Sequence, residues 1–189
     1  MNFKTLTDKE LVELLSLKED LAKSAFNEIY LRYSKKIFAY CKKSIKDNKI
    51  AEDIFQETFV NLYNVGRSDV RIENLQTYIF RIVRNLCLNY KRDNTQEFIE
   101  IEEFHLTFDE DPTQVKELSS LINQAIEMLN DEHKEAFILQ TYQELSYNEI
   151  AELLQIPVTT VRNRIVRAKR KLKEILTPYF ENKKFEEGK

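Results

Sequence analysis

The 189-residue chain has two glycines, three prolines, two cysteines and no tryptophan. So little glycine and proline argues against a turn-rich β architecture. Gly66, Pro112, Pro157 and Pro178 each fall where a helix is expected to end or pause. Cys41 and Cys87 form no CxxC pair, and no further cysteine exists to complete a metal set. Each sits among apolar residues and reads as a small buried hydrophobe. His105 and His133 are isolated, and there is neither a phosphate-cradling glycine loop nor a nucleophile–base signature. The chain is therefore not expected to be an enzyme or to carry a cofactor or metal. No apolar run reaches the roughly 18 residues of a membrane span. The opening MNFKTLTDKELVELL is charged throughout, without a signal-peptide core. A soluble, cytoplasmic protein is expected.

What is present is charge, unevenly placed. The net of −3 divides into +5 over residues 1–92, −8 over 93–118 and 0 over 119–189. The acid is concentrated in one central segment, and the flanking parts are free to meet DNA phosphates.

The most informative stretch is SYNEIAELLQIPVTTVRNRIVRAKRKLKEIL, Ser146–Leu176. Ser146 and Glu149 have capping-box spacing, which satisfies orphan N–H groups at a helix start. Ile150, Leu153 and Leu154 give that helix an apolar face, and Gln155-Ile156-Pro157 interrupts it. A second helix restarts near Val158 or Thr159. Val161, Ile165, Ala168, Leu172 and Ile175 recur at 3- and 4-residue steps, the mark of one buried stripe. The remainder is cationic: Arg162, Arg164, Arg167, Lys169, Arg170, Lys171 and Lys173, with no acid between Gln155 and Glu174. Ala151 is small where the two helices would cross. Thr159, Thr160 and Asn163 offer hydrogen-bonding groups at the end of the helix that meets base edges. This is a helix-turn-helix pattern suited to a DNA major groove.

Elsewhere the periodicity predicts helices throughout. A short first helix follows the Thr7–Glu10 capping box. A longer one over Leu21–Ile45 carries Ala22, Ala25, Phe26, Ile29, Tyr33, Ile37, Tyr40 and Cys41 inward. A third, Ile50–Tyr63, is expected to bury Ile50, Ala51, Ile54, Phe55, Thr58, Phe59 and Leu62, and opposes them with Glu52, Asp53, Gln56, Glu57 and Asn61. That acidic face fits either a solvated surface or a protein-docking surface. After a loop over Asn64–Glu73, a helix over Asn74–Lys91 turns Leu75, Tyr78, Ile79, Ile82, Val83, Leu86 and Tyr90 inward. Its Arg81, Arg84, Asn85, Asn89, Lys91 and Arg92 suit phosphates and base edges. The predicted fold is all-α: two small helical domains joined by an acidic linker, the C-terminal one containing the helix-turn-helix. The boundaries are 1–92, a linker at 93–114, 115–177, and a tail at 178–189 beyond a helix stop at Thr177-Pro178.

These two modules resemble the bacterial RNA polymerase sigma factors, in particular the small extracytoplasmic-function class of the sigma-70 family. AEDIFQETFVNLY (Ala51–Tyr63) is similar to the family's AEDxxQExF signature. LQTYIFRIVRNLCLNYKRD (Leu75–Asp93) is similar to its promoter-melting, minus-ten-reading helix. The helix-turn-helix is similar to its minus-35 reader. The resemblance implies that Asp53, Gln56 and Glu57 bind the clamp helices of the largest subunit of the RNA polymerase core. It implies that Arg84, Asn85, Asn89 and Arg92 meet the minus-ten region, with the Asn64–Glu73 loop helping to hold a flipped base. It assigns minus-35 bases to Arg162, Asn163 and Arg167, and phosphates to Thr160, Arg164, Lys169 and Arg170. It further implies control by a separate anti-sigma factor. Two departures stand out: Gln155 occupies the turn position where the family usually has glycine, and Tyr78 a position that is often tryptophan.

Two other readings compete. An autonomous helix-turn-helix regulator would bind duplex DNA without polymerase and leave the AEDIFQETF face unexplained. A helical adaptor would use its cations for solubility alone. For a sigma factor of this size, weak binding to duplex promoter DNA is expected when free, with specific binding and strand opening only in the holoenzyme.

Overall fold

A computed structural model of the protein describes residues 2–66, 71–94 and 112–186. Among the described residues the regular structure is entirely helical, eight α-helices after a 3-10 turn at Phe3–Thr5. The chain divides into two compact units, 1–101 and 102–189. Residues 95–111, most of the acidic linker, lie outside the described residues, as does Arg67 in the loop before Asn74.

The first unit holds α1 (Asp8–Leu15), α2 (Glu19–Ser44), α3 (Asn48–Gly66) and α4 (Leu75–Asp93). The Thr7–Glu10 capping box forms: the Glu10 N–H donates to Thr7 Oγ1 at 3.3 Å, and Thr7 N–H donates back to Glu10 Oε2 at 2.7 Å. Arg32 of α2 ties the N-terminal segment down. It donates to Asp8 Oδ1 and Glu28 Oε1 at 2.9 Å each and to the Leu6 carbonyl at 2.8 Å. Asp47 opens α3 by accepting from Lys49 N at 2.8 Å and Ile50 N at 3.1 Å.

The core of this unit comprises Leu11, Leu15, Ile29, Ile37, Leu62, Ile79 and Phe80, all fully buried. Each such side chain contributes about 1.5–3 kcal/mol relative to exposure. Edge-to-face aromatic pairs add direction. Phe26 meets Tyr63 at 5.1 Å, and Tyr30 meets Phe59 at 4.8 Å, across α2 and α3. Tyr40 meets Phe80 at 5.7 Å, across α2 and α4.

The structure rotates α4 from the expected register. Leu75, Thr77, Ile79, Phe80, Val83 and Cys87 are buried. Tyr78, Ile82, Leu86 and Tyr90, expected inward, are half-buried. Phe80 takes an inner position, where Tyr40 meets it edge-to-face.

The second unit holds α5 (Pro112–Glu127), α6 (Asp131–Thr141), α7 (Tyr147–Leu154) and α8 (Val158–Glu186). Pro112 opens α5, where its missing N–H costs no helical hydrogen bond. Asn130 caps α6 by accepting from His133 N at 2.9 Å. Ile126, Leu139, Leu145, Ile150, Val161, Ile165 and Ala168 form the core. The expected helix stop at Thr177-Pro178 is overturned, because α8 runs through Pro178 to Glu186. Proline removes a donor to the Glu174 carbonyl. Glu174 and Pro178 are both exposed, so solvent can meet that carbonyl, and Thr177 Oγ1 donates to the preceding Lys173 carbonyl at 2.7 Å.

Candidate nucleic-acid interface and docking face

The helix-turn-helix is built by two caps and an unusual turn. At the start of α7, Ser146 Oγ accepts from Glu149 N at 3.3 Å, and Ser146 N–H donates to Glu149 Oε2 at 2.8 Å. At its end Gln155 adopts φ 55°, ψ 45°, the left-handed region. The Ile156 N–H then reaches the Ala151 carbonyl at 3.1 Å and Gln155 N–H the Glu152 carbonyl at 3.4 Å, a Schellman closure. Gln155 thus makes the turn that glycine would make, with a Cβ in place. The Pro157 carbonyl accepts from Thr160 N at 2.9 Å and Val161 N at 3.2 Å, which starts α8.

With the turn fixed, α8 buries Val161, Ile165, Ala168 and Leu172 and half-buries Ile175, as the spacing requires. Arg162, Asn163, Arg167, Lys169 and Arg170 are all exposed on the outer surface, and Thr160 is half-buried. Arg164 differs from these. Its Nη2 lies 2.7 Å from Glu132 Oε2 of α6, and its side chain keeps only 18% of its exposure. Val166, which the sequence pattern did not single out, is 58% exposed among the cations.

On α3 the buried stripe is Ala51, Ile54, Thr58, Phe59 and Leu62. Asp53, Gln56 and Glu57 are all exposed on the opposite side, one helical turn apart. Val60 continues that stripe at 57% exposure, an apolar member that the alternation of acids concealed. The face is therefore acidic with one hydrophobic end, a surface suited to a partner that offers cations and an apolar contact.

On α4, Asn74 caps the start by accepting from Thr77 N at 2.9 Å. Asn85, Asn89 and Arg92 are exposed and recur at steps of four and three, so they share one edge. Arg92 Nε pairs with Asp93 at 3.0 Å. Arg84 is half-buried and lies off that edge. Arg81 extends the exposed edge one turn towards the helix start.

Among the described residues no cluster of three or more His, Cys, Asp or Glu side chains is placed to hold a metal ion. No described helix is long and apolar enough to cross a membrane.

Residues 29–97 match the family described as Sigma-70 region 2, and residues 119–172 match Sigma-70, region 4. The RNA polymerase sigma-H factor of Pseudomonas aeruginosa is 30% identical over 185 residues, covering 90% of this chain and 94% of that one. The ECF RNA polymerase sigma factor SigW of Bacillus subtilis is 32% identical over 167 residues, covering 80% and 89%. Two solved structures are similar in fold. One is the co-crystal structure of the sigma factor RpoE with the anti-sigma factor NepR from Bartonella quintana, with a TM-score of 0.68 at 24% identity, covering 80% of this chain and 96% of that one. The other is CnrH in complex with the cytosolic domain of CnrY, with a TM-score of 0.68 at 18% identity, covering 90% and 97%.

Proposed function

The chain belongs to the sigma-70 family, in its extracytoplasmic-function class, and from that membership we propose how its residues divide the work of a sigma factor. It directs RNA polymerase core to promoters for DNA-templated initiation. The observation that carries the residue assignment is the outward side of α8: a row of exposed cations and Asn163 turned away from the buried Val161, Ile165, Ala168 and Leu172, started by a tight turn.

In this reading α8 lies in the major groove of the minus-35 region. Arg162, Asn163 and Arg167 hydrogen-bond base edges, each good bidentate pair supplying about 1–3 kcal/mol of discrimination. Thr160, Lys169 and Arg170 hold phosphates, and so does Arg164 through the N–H groups it does not spend on Glu132. Asn85, Asn89 and Arg92 on the α4 edge, with Arg84 beside them, meet the minus-ten region. The first domain, 1–92, would dock and melt, and the second, 115–177, would read minus-35 DNA across the segment 93–114.

Melting removes stacking worth about 1.4 kcal/mol per base step. Several steps exceed what a few amide and guanidinium contacts return, so opening requires the polymerase. Asp53, Gln56 and Glu57 supply that connection by docking on cationic clamp helices of the largest subunit. The polymerase performs the chemistry and this chain supplies the address, acting in the cytoplasm where both partners reside. Of the two solved structures similar in fold, one pairs the sigma factor RpoE with the anti-sigma factor NepR and the other pairs CnrH with the cytosolic domain of CnrY. This supports control of the present chain by an anti-sigma protein.

The test is competition for core polymerase. Asp53→Ala and Gln56→Ala should each weaken core binding by about tenfold with an unchanged thermal midpoint. Unaltered core binding in both would remove the docking assignment and favour an autonomous DNA-binding regulator.

A further inference from the structure

We propose that Val166 is a specificity-determining residue that selects thymine, by its C5-methyl group, in the upstream promoter element. This rests on the reading of α8 as the helix in the major groove. Residues three and four apart share a helix face. Val166 therefore has Arg162 and Asn163 one turn before it and Lys169 and Arg170 one turn after it, all exposed. It lies on the outward side of α8, one residue step of about 100° from the buried Ile165, and is 58% exposed.

A β-branched residue there gains little for the helix, since its side chain loses rotamer freedom and stays mostly exposed. Its surroundings can hydrogen-bond, and it cannot. Among the groups displayed on a major-groove edge, the C5-methyl of thymine is the apolar one. The flanking cations bring α8 against the backbone, and Val166 is then pressed onto base edges with no polar group to offer. A methyl beneath it is buried. A cytosine presents only hydrogen at that carbon, and its amino group loses water without compensation. Burying one methyl corresponds to about a fourfold change in affinity.

The experiment uses the full chain in holoenzyme with bacterial core polymerase, on a promoter duplex mapped by transcription. Each thymine of the upstream element is replaced in turn by deoxyuridine, which deletes the methyl alone. With the natural protein, one or two replacements should raise the half-saturating holoenzyme concentration about fourfold. With Val166→Ser, checked for an unchanged thermal midpoint, the same replacements should have no further effect. An element without thymine, no sensitive thymine, or sensitivity that persists in Val166→Ser overturns the proposal. Arg162→Ala and Arg167→Ala serve as controls. If neither reduces transcription, the placement of α8 fails and takes this proposal with it. If both do while uracil is tolerated everywhere, only the role of Val166 fails.

Discussion

Arg164 Nη2 lies 2.7 Å from Glu132 Oε2, an ion pair that joins α8 to α6 across the second unit. Arg162, two residues earlier, is exposed. The two arginines should therefore respond differently to truncation. Arg164→Ala should lower stability by about 1 kcal/mol, through the lost pair and the packing of its stem. Arg162→Ala should change stability by less than about 0.5 kcal/mol yet reduce transcription from the cognate promoter. Denaturant melts of both variants beside a transcription assay check this. Equal stability losses would contradict the assignment of Arg162 to DNA.

Gln155 holds φ 55° in the turn between α7 and α8. A side chain in this region costs about 1–2 kcal/mol that glycine does not incur. Glycine also loses more entropy on folding, which offsets part of the gain. Gln155→Gly should therefore raise stability by about 0.5–1 kcal/mol and leave DNA recognition intact, whereas Gln155→Val should destabilise. Thermal midpoints of the pair decide the matter. A destabilising Gln155→Gly would mean that the glutamine side chain holds the turn.

Gly66 ends α3 against α1. A Cβ built there would come within 2.4 Å of Leu15 Cδ1 and 3.1 Å of Leu15 Cβ. Leu15 is fully buried, so its side chain can shift only by displacing its core neighbours. Gly66→Ala should cost about 1–3 kcal/mol by overpacking, and pairing it with Leu15→Ala should recover part of that loss. A neutral Gly66→Ala melt would show that α1 yields at this contact.

Cys41 and Cys87 are free thiols, both buried, on α2 and α4. A hydrogen bond with Cys87, reinforced by burial, pushes the Cys41 thiol well above the ordinary thiol range. The reactive thiolate is thereby suppressed at neutral pH. Neither thiol should react with Ellman's reagent in the folded protein, and both should react in denaturant. Rapid labelling under native conditions would refute this.

The helices were legible because their apolar residues repeat at three and four, and because Thr7–Glu10 and Ser146–Glu149 announce their starts. The register of α4 was not legible. Apolar residues occupy most of its circumference, and contacts distant in sequence, Tyr40–Phe80 and Cys41–Cys87 among them, select the inner edge. Local rules also misjudged Pro178, because an exposed helix can leave one carbonyl to water. Gln155 drew notice by its identity, but its left-handed backbone could be known only from the two carbonyls it lets the chain reach. At the candidate site the charged residues were readable from type and spacing. The exposed valines, Val60 and Val166, were not, since an apolar residue in a helix pattern is by default assigned to the core.

The most direct test of the central claim is reconstituted transcription. The protein is combined with bacterial core polymerase and fragmented DNA from its source genome, and transcript 5′ ends are mapped. Discrete starts that share two upstream motifs, absent without the protein and lost with Asp53→Ala or Gln56→Ala, are the predicted result. An absence of protein-dependent starts, with the protein alone footprinting duplex DNA, would contradict it.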